Sequence, residues 1–201
     1  MTESGLTETG LTETGLIESG LIESAPAKPA TRRLFFALWP DDATRDALNR
    51  TGKWLHQHWG GRRMRADTLH ITLAFLGDLT AAQLDALLQG IQDIPLGAFV
   101  LNLDQVGHWP HNRIGWLGLS QPSMPLENLV LALRDQLRTL EIPFDARRHT
   151  PHITLLRKAQ GGAALECLPV NWMIDGFVLV ASNLQADGAH YDVLQTWRLA
   201  T

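Results

Sequence analysis

From residue 34 onward the chain switches between two hydrophobic periods. Residues 34–39 form an unbroken apolar run closed by Pro40-Asp41, which predicts a short buried strand. From residue 42 to about 55 the period becomes helical, with Ala47, Leu48, Thr51 and Leu55 on one face. Residues 69–76 predict a second strand, stopped by Gly77-Asp78. Thr80 with Gln83 forms a capping-box signature, and Leu84, Leu87, Leu88 and Ile91 follow at helical spacing. Strands over 99–106 and 113–119 then flank a Trp-Pro-His-Asn turn. Pro125 opens an amphipathic helix through Leu126, Leu129, Val130, Leu133, Leu137 and Leu140. Strands over 152–156, 177–182 and 191–199 complete the series. The expected fold is α+β: two pseudo-symmetric lobes, each an antiparallel sheet with helices on its outer side, enclosing a central cleft.

Two of these strands carry the same phrase. His70-Ile71-Thr72-Leu73 returns as His152-Ile153-Thr154-Leu155, eighty-two residues later. In a strand, side chains two apart share a face and those between them point the other way. Ile and Leu of each copy can anchor a core, which leaves His and Thr to line the cleft. Two imidazoles and two hydroxyls would then converge on one point. Such a site suits a small anion and the movement of protons. The competing explanation, a pair of satisfied structural histidines, does not account for the duplicated threonines.

The first twenty-six residues are different in kind. They run as pentads, each with a glutamate in second place, from Thr2-Glu3-Ser4-Gly5-Leu6 to Ile22-Glu23-Ser24-Ala25-Pro26. Glycine every fifth residue penalises a helix, and so few apolar side chains cannot build a core. Residues 1–29 are therefore expected to be a disordered tail and linker, with the folded domain over 30–201. The tail holds five glutamates and no Lys or Arg, so the body carries 17 basic against 16 acidic side chains. A body this close to neutral does not predict a broad face for gripping duplex nucleic acid. Arginine does cluster beside both motifs, as Arg62, Arg63 and Arg65 before the first and Arg147, Arg148 and Arg157 around the second. We expect about four of these six to be solvated surface charges.

No apolar stretch approaches the roughly 18–20 residues of a membrane helix. The start, Met1-Thr2-Glu3-Ser4, lacks the basic and apolar regions of a signal peptide, so cytoplasm is the expected compartment. The single cysteine, Cys167, excludes an intramolecular disulfide and a multi-cysteine zinc site, and is expected to pack as a small hydrophobe. His56 and His58, two apart on a helix, cannot share a face. His108 and His111 lie in a turn that could rim the cleft, His149 adjoins the second motif and could tune it, and His190 is expected in a loop. No metal or cofactor is predicted, and a monomer is the default.

The runs Arg33-Leu34-Phe35-Phe36-Ala37-Leu38, Leu69 through Gly77 and Pro151 through Arg157 resemble the two-histidine phosphoesterases. Among these, the resemblance is to the bacterial RNA 2′,3′-cyclic phosphodiesterases, also known as 2′-5′ RNA ligases. Val180-Ala181-Ser182, Gly188, Tyr191, Leu194 and Trp197 agree as well, so the resemblance covers residues 32 to about 199. It implies opening of the cyclic phosphate to a 2′-phosphate, with RNA ends or cyclic nucleotides as partners. By the same resemblance His152 is the general base and His70 the general acid, with Thr72, Thr154 and Arg157 on the phosphate. It also places Phe75 near the nucleobase, with a core role as the alternative, and leaves Trp109 and Trp116 as further stacking candidates. Phe75 and Arg157 each lie five residues after their histidine. Simple alternation would turn them away from it, so each strand must end or bulge first. Rival readings are reversible 2′-5′ ligation at the same site and a non-catalytic RNA-end or nucleotide-binding protein.

Overall fold

The computed structural model describes residues 30–186 and 188–200, so the pentad segment lies outside the described residues. Among these residues nine strands make two antiparallel sheets, accompanied by three α-helices. The first sheet has the order β3-β1-β8-β9, formed by Thr31–Leu38 (β1), Ile71–Thr80 (β3), Gly176–Gln185 (β8) and Gly188–Arg198 (β9). The second has the order β2-β6-β5-β4-β7, formed by Arg62–Arg63 (β2), Phe99–Trp109 (β4), Ile114–Gly118 (β5), His152–Arg157 (β6) and Glu166–Ile174 (β7). Each sheet contains one motif strand, β3 or β6. The lobes are not successive halves of the chain, because the closing hairpin β8–β9 returns to the first sheet.

Two of the three helices cross between lobes. The first, Asp42–Trp59 (α1), packs on β6 and β7 of the second sheet. Ala81–Gly90 (α2) and Met124–Thr139 (α3) pack on β3 of the first. Asp41 caps α1 by accepting from the Thr44 amide at 2.7 Å. The helix runs one turn past Leu55 because Trp59 is buried, and Gly60, at φ +60°, then ends it. The capping box of Thr80 and Gln83 is present as the sequence predicts. β1 is buried on both faces. Leu34, Phe36 and Leu38 enter the main core, while Phe35 and Ala37 join Val178 and Val180 in a smaller cluster under the cleft.

Several features depart from the predicted elements, among them these two. Gly77-Asp78 does not stop β3. Gly77 sits at φ +76° in an irregular register opposite Leu34, and pairing resumes to Thr80. β7 is a strand that the hydrophobic pattern did not announce. Val170, Trp172 and Ile174 alternate inward, but Pro169 and the exposed Leu168 and Met173 blur the period. Proline is tolerated there because β7 is an edge strand.

Candidate active site

Both motif histidines are held by the same local device. The Nδ1 of His70 lies 2.8 Å from the Thr68 carbonyl, and the Nδ1 of His152 lies 2.8 Å from the Thr150 carbonyl. A carbonyl only accepts, so Nδ1 carries the hydrogen in each ring and Nε2 is left as the basic nitrogen. A 3-10 turn, Ala66–Thr68, presents the Thr68 carbonyl, and the Thr68 hydroxyl donates to the Arg65 carbonyl at 2.8 Å to fix that turn. The two rings are thereby set in matching tautomers, one per lobe.

Each motif strand then bulges at the same place. Along β3, Ala37 pairs with Thr72 and Phe36 with Ala74, so Leu73 is the extra residue. Along β6, Trp116 pairs with Thr154 and Gly115 with Leu156, so Leu155 is extra. One extra residue reverses the alternation. Ile71, Leu73, Ile153 and Leu155 are buried in the core, while Phe75 and Arg157 rejoin the face of His and Thr. The parity conflict in the sequence is resolved in both strands by this one device.

The result is a cleft of about 360 Å³ that brings together His70, Thr72, Phe75, His152, Thr154 and Arg157. Sequence reasoning missed several of its neighbours, chiefly Arg33, Phe35, Ser182 and Tyr191. Arg33 comes from the first sheet and Arg157 from the second, and both favour the ionised form of the Tyr191 phenol while burial opposes it more strongly. The Arg33 guanidinium also lies 4.9 Å over the Phe75 ring, so Phe75 is at once cleft wall and part of the apolar floor. Arg33 and Tyr191 lie within runs that carry the family resemblance, which was the available signal for them.

The two imidazoles differ in surroundings. His70 is packed by three rings: Trp39 stacks on it at 5.6 Å and 14°, Phe35 lies at 4.9 Å, and Tyr191 stands edge-on at 5.3 Å. Burial pushes its pKa from 6.5 to about 4; the Thr68 carbonyl opposes this and His152 adds to it. His152 meets Trp109 at 4.5 Å, and burial lowers its pKa too, against the Thr150 carbonyl. Both shifts favour the neutral ring near pH 7. An anion held between the rings would favour the charged imidazolium, and the face of Trp39 would assist at His70.

The free edge of β3 shows how the lobes are joined. Before the first motif, β2 and Met64 pair along β6, with the Met64 amide donating to the Leu155 carbonyl at 2.8 Å. Before the second motif, the loop from Asp145 to His149 lies along β3. The Asp145 amide donates to the Phe75 carbonyl at 2.8 Å, and His149 Nε2 donates to the Thr72 carbonyl at 2.8 Å. His149 therefore braces the first motif from across the cleft. It fills an edge-strand hydrogen bond at the bulge.

The remaining candidates separate cleanly. Trp109 and His111 reach the groove beside His152, whereas Trp116 occupies the space left by Gly107, where a Cβ would lie 2.0 Å from its ring. His108 packs by Trp59 and Gly161, away from the cleft. His190 lies in β9 and contacts Arg65 at 3.2 Å, correcting the loop expected there. Arg62 and Arg63 are exposed on β2, and Arg65 pairs with Asp67. Cys167 is partly buried against the core. Among the described residues no helix is long and apolar enough to cross a membrane.

Two sheets, each offering one anchored His-x-Thr strand to a shared cleft, have the architecture of a two-histidine phosphoesterase. The chain belongs to the LigT-like phosphoesterase family, whose pattern matches residues 38–116. It is similar to the RNA 2′,3′-cyclic phosphodiesterase of Escherichia coli, at 35% identity over 173 residues, 84% of this chain and 97% of that one. The protein of the same name from Thermus thermophilus is 28% identical over 179 residues, 83% and 90% of the respective chains. The crystal structure of E. coli LigT complexed with 3′-AMP matches with a TM-score of 0.75 at 33% identity, covering 86% of this chain and 100% of the other.

Proposed function

We propose that this protein hydrolyses RNA or nucleotide 2′,3′-cyclic phosphates to 2′-phosphates without a metal ion, by acid–base catalysis between His152 and His70. His152 Nε2 takes a proton from water as the water oxygen bonds to phosphorus. The bond from phosphorus to the 3′ oxygen breaks, and His70 Nε2 delivers the proton that this oxygen needs to leave. Each positioned transfer is worth roughly 10²–10⁴-fold in rate. Thr72 and Thr154 donate to the non-bridging oxygens from opposite lobes, and Arg157 adds charge-assisted hydrogen bonds. Phe75 offers its edge and remaining face to the nucleobase, since Arg33 covers the other.

The observation that carries this reading is the pair of anchored imidazoles, each with Nδ1 committed to a carbonyl and Nε2 free as a base. Burial favours the neutral form of His70, so it gains its catalytic proton as the phosphate anion binds beside it. The relatives' common name and the 3′-AMP held by E. coli LigT support a ribonucleotide phosphate as the ligand. A cytoplasmic location and a monomeric state belong to the same proposal.

The test is incubation with an oligoribonucleotide ending in 2′,3′-cyclic phosphate, in EDTA, with the product's phosphate position identified. A 2′-phosphate is expected. A 3′-phosphate would reverse the leaving group, and tight binding without turnover would leave a recognition protein instead.

A further inference from the structure

We propose that the groove beside His152 is a second subsite, built for the phosphodiester and nucleoside that adjoin the reacting nucleotide of an RNA strand. The proposal rests on the cyclic phosphodiesterase reading and adds where the rest of the strand lies. The groove measures about 430 Å³ and meets the catalytic cleft at Thr72, Phe75 and His152. The cleft itself, at about 360 Å³, is near the small end of ligand pockets, roughly 300–1,000 Å³, with room for one nucleotide rather than two. A cyclic mononucleotide would leave the groove unused.

Beside β3 and Arg134 of α3, two segments supply most of its polar wall. The end of β4 supplies Trp109, the turn after it His111 and Asn112, and the loop before β6 Arg147 and Arg148. Three arginines line it against one carboxylate, Asp145. That carboxylate is already satisfied: hydrogen bonds from Arg147, with Nε at 2.9 Å, hold its pKa down to about 2. Arg134 is committed as well, donating to the carbonyls of Asp145 and Arg147. Arg148 is exposed and forms no ion pair among the described residues. An exposed guanidinium beside an indole and an amide has the chemistry of single-stranded RNA recognition. The cation takes a phosphate, the ring stacks on a base, and the amide bonds to base edges. In a body with nearly balanced charge, this is a local site and not a general polyanion surface.

The test compares kcat/KM for a nucleoside 2′,3′-cyclic phosphate with that for a dinucleotide carrying the same terminal nucleoside, in the wild type and in Arg148→Ala and Arg148→Lys. The dinucleotide is expected to be favoured about tenfold or more by the wild type. Arg148→Ala should erase most of that ratio and Arg148→Lys should keep part of it. The dinucleotide rate should also fall more steeply with salt, by the equivalent of about one phosphate contact. Equal kcat/KM for the two substrates, or a dinucleotide preference untouched by both variants, would overturn the proposal. A preference seen only when the second nucleotide is added as a separate 5′-hydroxyl strand would overturn the same-strand assignment. No turnover of either substrate would reject the phosphodiesterase reading itself, a different outcome from equal turnover.

Discussion

Changing His70 to asparagine removes a titrating ring from the cleft and leaves an amide that can still donate to the Thr68 carbonyl. In the folded protein, burial holds the His70 pKa at about 4, against an ordinary 6.5. The unfolded chain therefore binds the proton first as the pH falls. Stability due to the neutral ring is complete above pH ~6.5 and is lost progressively down to about pH 4. Integrated to pH 5, this linkage amounts to ~2 kcal/mol. The Trp39 face, stacked at 14°, favours the imidazolium and works against the loss. We therefore expect a net penalty of about 1–2 kcal/mol at pH 5. Urea unfolding at pH 8 and pH 5 measures it: the wild type should lose that much more than His70→Asn. His149 is also held low, but it titrates in both proteins and cancels in the difference, while the repulsion between His70 and His152 belongs to the measured loss. Equal losses in the two proteins would show that the fold does not hold His70 neutral, and would refute the reasoning.

His149→Phe should cost about 1–3 kcal/mol in urea unfolding by leaving the Thr72 carbonyl unpaired, and should lower kcat more than it raises KM. His149→Gln restores a donor at the Nε2 position and should recover most of both. Gly61→Ala should destabilise by at least ~2 kcal/mol, because Gly61 has φ +83° and its Cβ would lie 2.7 Å from the Arg157 carbonyl oxygen; denaturant titration checks this. Arg157→Ala should raise KM for a cyclic phosphate by about tenfold, and Arg157→Lys should fall between, since lysine keeps the charge but loses the fork.

The strands and helices followed closely from hydrophobic period wherever one face is buried, as in α3, with its inward leucines and Pro125 start. Both motifs were legible for the same reason: Ile and Leu point into the core, so His and Thr face the cleft. Bulges are harder to see, because Leu73 and Leu155 are ordinary core leucines and only the five-residue offsets of Phe75 and Arg157 require them. β2 is two residues long and has no period to detect. β7 hides behind Pro169. Arg33 and Tyr191 reach the cleft from strands distant in sequence, so no local spacing points to them. His149 illustrates the same limit. Its place beside the second motif was plain, but its partner is the first, because the loop that carries it lies along the opposite lobe.

The central claim is a division of labour across the phosphate, with His70 protonating the 3′ oxygen and His152 activating water. A cyclic substrate whose 3′ bridging oxygen is replaced by sulfur tests it most directly, because a thiolate leaves without being protonated. Single-turnover rates on the oxygen and sulfur substrates should show His70→Ala rescued by sulfur and His152→Ala disabled on both. Rescue of His152→Ala, with His70→Ala still inactive, would contradict the account by exchanging the two roles.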